Sequence, residues 1–179
     1  PLPRKKQILF KSEKIVYNKL NYDIYRLRRN LSMKNLGFVR VGTAVPTLKV
    51  AKHKIQRGPG SWILIEEAEK ERAGFLVLPE LALTGYSCGD LFYQEHLYQH
   101  QLTALAHICR ATEERKLVVI LGCYLRLENN LYNCAALIQN GDIKGIVPKM
   151  FLPNSKEYYE ARWFASGIDL IRRRKTVSL

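Results

Sequence analysis

A chain of 179 residues, 47% of them hydrophobic and 25% charged, has room for one globular domain or part of a larger one, and not for two. Its longest apolar run, Leu117 to Leu125, falls far short of the roughly 20 residues a membrane-crossing helix needs, so no segment is expected to cross a bilayer as a helix. The formal charge of +13 invites a nucleic-acid reading, yet residues 1–36 hold +8 of it, the tail Arg172 to Lys175 holds +4, and the body is left near neutral at +1; a module that grips phosphate sets its basic residues on the folded surface, so nucleic acid is not the expected partner.

The basic opening, taken as residues 1–34, reads as an extension ahead of the domain. It lacks the apolar core of a secretory signal, and Ile24, Leu27 and Leu31 only loosely form the stripe of a transit peptide. The first methionine is Met33, so the natural domain is expected to start there. Gly37 to Pro46 alternates apolar and small residues and stops at proline, as a strand does. After a loop punctuated by Gly58, Pro59 and Gly60, Ser61 stands where an N-cap belongs. Trp62, Ile65 and Ala68 follow at helical spacing until Gly74 ends the helix.

Phe75 to Leu78 predicts a short buried strand closed by Pro79. A glycine turn follows, and Asp90 is placed to cap a long helix over Leu91 to Lys116 whose inner face takes Leu97, Ala104, Leu105, Ile108 and Cys109. Leu117 to Leu125 and Leu131 to Gln139 predict two more strands joined at Asn129-Asn130. Asn140-Gly141 is the strongest hairpin signal in the chain, because both residues tolerate the positive φ of a type I′ turn; the returning strand is Ile143 to Val147. This order predicts an α+β fold with helices on one face of a sheet.

Cys88, Cys109, Cys123 and Cys134 have neither zinc-site spacing nor the density of a disulfide scaffold; they read as free thiols in a reducing cytosol, and no metal site is expected. Two strands end in the same way, apolar residue, proline, charged residue: Leu78-Pro79-Glu80 and Val147-Pro148-Lys149. Proline does not extend a ladder, so each charge is set just past the sheet's edge, where mixed sheets build sites. Glu80 is expected in a partly desolvated pocket, which raises its proton affinity and suits a general base. A satisfied structural acid, and a solvated lysine, are the competing readings of these two residues.

The stretch Phe75 to Phe92 (FLVLPELALTGYSCGDLF) resembles the glutamic-acid motif of the nitrilase superfamily, and Gly85 to Phe92 resembles its glutamine-dependent NAD synthetase branch in particular. Leu131 to Gly167 resembles the superfamily's lysine motif with its flanks. The resemblance implies residues 35–171 as the first half of an αββα sandwich, followed by a basic tail over 172–179. It implies a cysteine that attacks the carboxamide of glutamine, Glu80 as the base that takes its proton, and Lys149 as the cation on the carbonyl oxygen. Glu160 matches a second acid that holds the lysine, and Tyr86 a residue lining the glutamine pocket. ATP and magnesium are implied for a separate synthetase domain that amidates nicotinic acid adenine dinucleotide, with no cofactor in this chain, a cytoplasmic location and homo-oligomeric assembly.

The resemblance has departures. Met150 follows the lysine where threonine or serine is usual, Ser155 stands where an aromatic is usual, and Tyr124 replaces a common proline. The nucleophile's segment, a strand followed by Cys-Glu-Asp, does not occur before Leu179, and all four cysteines precede the lysine motif. A truncated or frame-shifted gene is therefore expected, inactive by itself and prone to aggregate through unpaired strands. The competing expectations are a stand-alone amidase and a non-catalytic remnant whose basic ends bind a polyanion.

Overall fold

The computed structural model describes residues 12–17, 22–27, 39–46, 60–168 and 170. One sheet runs through them in chain order: β1 (Ser12–Tyr17), β2 (Tyr22–Leu27), β3 (Val41–Val45), β4 (Phe75–Val77), β5 (Val118–Leu127), β6 (Asn130–Gln139) and β7 (Asp142–Pro148). The backbones of β1 and β2 pair antiparallel and add to β3, so Ile24 and Leu27 belong to a strand and not to a helical stripe. The five strands from β3 to β7 form the mixed sheet that positions the site. β3, β4 and β5 are parallel, and β5, β6 and β7 antiparallel.

Parallel neighbours need a crossover, and the chain supplies two. Helix α1 (Gly60–Lys70) links β3 to β4. It already includes Gly60 and Ser61, so it begins one residue before the expected cap at Ser61. Between β4 and β5 the chain first makes a 3-10 segment, Tyr86–Tyr93, and only then α2 (Glu95–Ala111). The single long helix expected from Leu91 to Lys116 is therefore cut at both ends. Leu91 to Tyr93 belong instead to the 3-10 segment, which Gly89 kinks at φ 58°, a conformation open to glycine, and Gln94 in extended backbone separates them from α2. At the other end Thr112 and Glu114, the latter at φ 59°, turn the chain back toward β5.

One face of the sheet is covered. Val119, Leu121, Cys123 and Leu125 of β5 stand in register with Ile138, Ala136, Cys134 and Tyr132 of β6, and all eight are buried against Leu64, Ile65 and Ala68 of α1 and Leu105, Ile108 and Ala111 of α2. The period-two alternation of these strands thus selects which side chains meet the helices. Among the described residues the alternate side chains are covered only in part: Tyr124 and Leu131 are buried with Leu81, Phe92 and Phe164, while Val45 and Val147 are half exposed. One sheet with helices on one side is half of the layered sandwich expected.

Asn140 and Gly141, at φ 52° and 78°, make the predicted tight turn between β6 and β7. The β5–β6 turn falls one residue earlier than expected, on Glu128 and Asn129, with Leu127 paired to Asn130. The strand predicted over Gly37 to Pro46 is β3 and begins at Val41; residues 37 and 38 lie outside the described ones. A side chain inside α2 also departs from the apolar pattern. Gln101, 1% exposed, donates Nε2 to the carbonyl of Tyr124 at 2.6 Å and accepts the Tyr124 N–H at 2.8 Å, bolting the helix to β5.

Candidate active site

The two charged residues predicted past the strand ends do meet. After β4 the chain turns at Pro79, and the Gly122 N–H of β5 donates to the Pro79 carbonyl at 3.1 Å. This close pass needs a glycine: a Cβ on Gly122 would lie 2.2 Å from the Leu81 nitrogen and 2.5 Å from the Glu80 Cα. Leu81 itself is held at φ 49° and fully buried, so the turn presents Glu80 outward while anchoring its neighbour.

Lys149 is reached differently from the expected stop at proline. Pro148 is the last residue of β7, opposite Cys134, and tolerates this place because β7 is an edge strand. The ladder then continues by one bond, Lys149 N–H to the Asn133 carbonyl at 2.7 Å. On the far side the Gly167 N–H donates to the Lys149 carbonyl at 2.9 Å, again at a position where a Cβ would strike Pro148. The lysine backbone is thereby clamped from both sides.

Lys149 Nζ donates to Glu80 Oε1 at 2.8 Å and to Glu160 Oε1 at 2.9 Å. Asn133 Nδ2 donates to the same Glu80 oxygen at 2.5 Å, and the Tyr86 hydroxyl donates to the same Glu160 oxygen at 2.7 Å. Asn133, Glu80, Lys149, Glu160 and Tyr86 therefore form one chain of hydrogen bonds. All four predicted site residues belong to it. Asn133 was not singled out by sequence reasoning; its signal is a buried polar residue, 3% exposed, in an otherwise apolar run of β6.

The environments of the two acids are opposite to expectation for one of them. The Glu80 side chain is 43% exposed, so the expected desolvated pocket is not what surrounds it; the turn that precedes it points it outward. Glu160 is the buried one at 1%, and among the described residues its Oε2 has no hydrogen-bond partner. Burial by itself pulls the Lys149 ammonium down, but the hydrogen bonds and charges of both carboxylates outweigh it and hold the lysine above its ordinary value. Burial, then the bond to Glu160, pushes the Tyr86 phenol well above the ordinary tyrosine range. Two carboxylates and one ammonium leave the cluster with a formal charge of −1, able to accept one proton.

Glu160 comes from a 3-10 turn, Glu160–Arg162, whose carbonyl end is closed by the N–H groups of Trp163 and Phe164 on the Glu160 carbonyl at 3.0 and 2.9 Å. Asp90, expected to cap α2, instead accepts Arg162 Nε and a terminal guanidinium nitrogen at 2.9 Å each, and Trp163 Nε1 at 2.9 Å. These donors, Arg162 first, lower the Asp90 carboxyl to about 2. Beneath them Phe92 packs edge-on to Tyr124 and tilted against Phe164, with centroids 5.3 and 5.0 Å apart, in a second core with Leu81, Cys88 and Leu131.

The cysteines are held elsewhere. Cys88 donates to the Thr84 carbonyl at 3.2 Å in this second core, while Cys123 and Cys134 face the helices, where burial raises both thiols to about 12. Cys109 lies on α2, and its thiol is also raised by burial. Among the described residues no three His, Cys, Asp or Glu side chains gather as a metal site, and no helix is long and apolar enough to cross a membrane.

Residues 62–175 match the family model described as carbon-nitrogen hydrolase. The chain is 32% identical over 135 residues to a glutamine-dependent NAD(+) synthetase of Aquifex aeolicus, covering 75% of this chain and 22% of the relative. It is 37% identical over 95 residues to the enzyme of that name from Mycobacterium tuberculosis, covering 53% of this chain and 14% of the relative. The crystal structure of a glutamine-dependent NAD(+) synthetase from Cytophaga hutchinsonii superposes with a TM-score of 0.65 and 32% identity over 72% of this chain and 22% of that one. The chain thus spans about a fifth or less of the length of these relatives.

Proposed function

The chain belongs to the carbon-nitrogen hydrolase family, and from that premise we propose that it forms the first part of a glutamine-hydrolysing domain that supplies ammonia to a glutamine-dependent NAD synthetase. The observation that carries this reading is the joining of Glu80, Lys149 and Glu160 through one ammonium group, a base, a cation and a second acid gathered from three separate segments.

In the proposed reaction Glu80 takes the proton of a cysteine thiol, and the thiolate attacks the carboxamide carbon of glutamine. Negative charge grows on the carbonyl oxygen, and the Lys149 ammonium, fixed by its two carboxylates, stabilises it. Ammonia leaves with the proton that Glu80 took. Water then cleaves the thioester, and glutamate departs. The proton has a place to go because the cluster starts with one more negative than positive charge. Tyr86 and Glu160 keep the lysine aimed, and Tyr86 is assigned to the lining of the glutamine pocket.

None of the four cysteines is proposed as the nucleophile. Cys123 and Cys134 are buried in the core under the helices with thiols raised by burial, Cys109 is half-buried on α2 with its thiol raised the same way, and Cys88 is buried in the second core with its thiol on the Thr84 carbonyl. The nucleophile is assigned to the family's Cys-Glu-Asp segment, and ATP and magnesium to a separate synthetase domain. The proposed setting is a reducing cytosol, where free thiols persist.

The test is to extend the open reading frame past the codon for Leu179 in all frames, express the complete product, and follow ammonia release from glutamine. Release is expected from the complete product and not from the 179-residue protein. Glu80→Gln and Lys149→Met are each expected to lower kcat by about 10²–10⁴. A complete product that hydrolyses other amides and spares glutamine would sink the glutaminase reading while leaving the hydrolase chemistry.

A further inference from the structure

The Asp90–Arg162 pair lies on the surface, with side chains 63% and 59% exposed, and an exposed pair contributes little to stability. Its geometry is nevertheless more constrained than a chance surface contact. Both carboxylate oxygens of Asp90 are engaged by the planar guanidinium, and one of them also receives the indole of Trp163. The Tyr93 hydroxyl, three residues on, donates to the Arg162 carbonyl at 2.5 Å. All of these contacts fall two and three residues past Glu160.

The partner segment is the same 3-10 stretch that begins at Tyr86, and Tyr86 donates to Glu160. The segment Tyr86–Tyr93 therefore grips the turn Glu160–Trp163 at three points, one on the buried carboxylate and two beyond it. Gly89, at φ 58°, sets the kink that brings Asp90 over Trp163, whose ring carbon is the nearest atom to a Cβ built there. The Glu160 carboxylate is carried by a short turn whose exposed end Arg162 and Trp163 tie to the Tyr86–Tyr93 segment.

We propose that Asp90 is a positioning residue for the candidate active site: by gripping Arg162 and Trp163 it fixes the turn that aims Glu160 at Tyr86 and Lys149. The role of Lys149 in this inference rests on the hydrolase reading above, but the grip itself does not. Asp90 acts on the site through two intermediaries and touches neither Lys149 nor the reacting atoms.

The test uses the 179-residue protein and the Tyr86 hydroxyl proton, assigned by its loss in Tyr86→Phe. A phenol donating to a buried carboxylate gives a downfield, slowly exchanging proton resonance. Asp90→Ala is expected to speed its exchange with water by about tenfold or more. Asp90→Glu, which keeps two acceptor oxygens, is expected to recover most of the protection, and Arg162→Lys, which keeps charge but loses the planar fork, to lose part of it. The unfolding equilibrium constant of Asp90→Ala is expected to change by less than about fivefold, as for an exposed pair. Unaltered Tyr86 exchange in Asp90→Ala would overturn the proposal. So would failure of both Asp90→Ala and Arg162→Lys to fold, which would make the pair a structural one. Because the readout is a phenolic proton and not ammonia, failure of the glutaminase reading leaves this result standing, and the reverse holds too.

Discussion

Glu80 and Lys149, 69 positions apart in sequence, are joined at 2.8 Å where two strands of one sheet end. The lysine is shared with Glu160 at nearly the same distance, so the ammonium is the centre of a three-residue ion cluster whose members differ sharply in exposure. That asymmetry decides what each substitution does.

Replacing Lys149 by Met leaves the buried Glu160 without its cation. Breaking a buried pair by removing one partner costs on the order of 3–5 kcal/mol, and the lower end applies here because the lysine is itself 30% exposed. Urea unfolding of Lys149→Met should show that loss, and adding Glu160→Gln should recover part of it by removing the stranded charge. A Lys149→Met protein as stable as the parent would mean that the cluster is solvated in solution.

Alkaline pH should weaken the fold. Lys149 and Tyr86 both hold their protons more tightly when folded than their ordinary values of 10.5 and 10.0 would allow. A raised folded-state value means that the folded form keeps a proton the unfolded chain has released, so the stabilisation is complete below the unfolded values and is lost as pH rises through the folded ones. Urea midpoints are expected to hold up to about pH 10 and to decline above it, less steeply in Tyr86→Phe. A decline that Tyr86→Phe leaves unchanged would place the titration elsewhere.

Asn133 ties the two halves of the cluster, since its side chain donates to Glu80 and its carbonyl receives the Lys149 N–H. Asn133→Ala removes only the first and should cost about 1.5–3 kcal/mol, the range of a hydrogen bond to a charged group, toward its lower end because Glu80 is half-exposed. Asn133→Asp sets a second carboxylate against Glu80 and should cost more at pH 7 than at pH 4. Equal costs at both pH values would argue that the two side chains part in solution.

Gln101 is predicted to matter for the fold and not for the chemistry. Gln101→Leu leaves the buried N–H and carbonyl of Tyr124 short of two partners, at about 1–3 kcal/mol each when unsatisfied. Amide exchange at Tyr124 should rise along with the loss measured in urea. Protection that persists would show that another group takes over.

The strand ends were legible because proline followed by a charge is a local pattern; it singled out Glu80 and Lys149, and the resemblance supplied their roles. Glu160 was legible only through the resemblance, since an acid among tyrosines and other polar residues in a loop gives no sign that the fold will bury it. Asp90 misled because an acid ahead of an apolar run is also what an N-cap looks like, and only the kink at Gly89 separates the two uses. Glu80 misled in its surroundings: an apolar strand before it implies a buried strand, and the turn after Pro79 sends the carboxylate outward all the same. Asn133 and Gln101 escaped notice because their partners are 53 and 23 residues away, a separation that no window along the chain spans.

Gly122 closes against the backbone that carries Glu80, with no space for even one carbon. Its consequence is mutational. Every missense change at that codon adds at least a Cβ, so each of them displaces the Glu80 turn although none alters a residue of the cluster. The position of a candidate base is thus guarded by a site 42 residues downstream that has no functional group of its own, and the genetic target for disabling it is wider than the set of side chains that would do the chemistry.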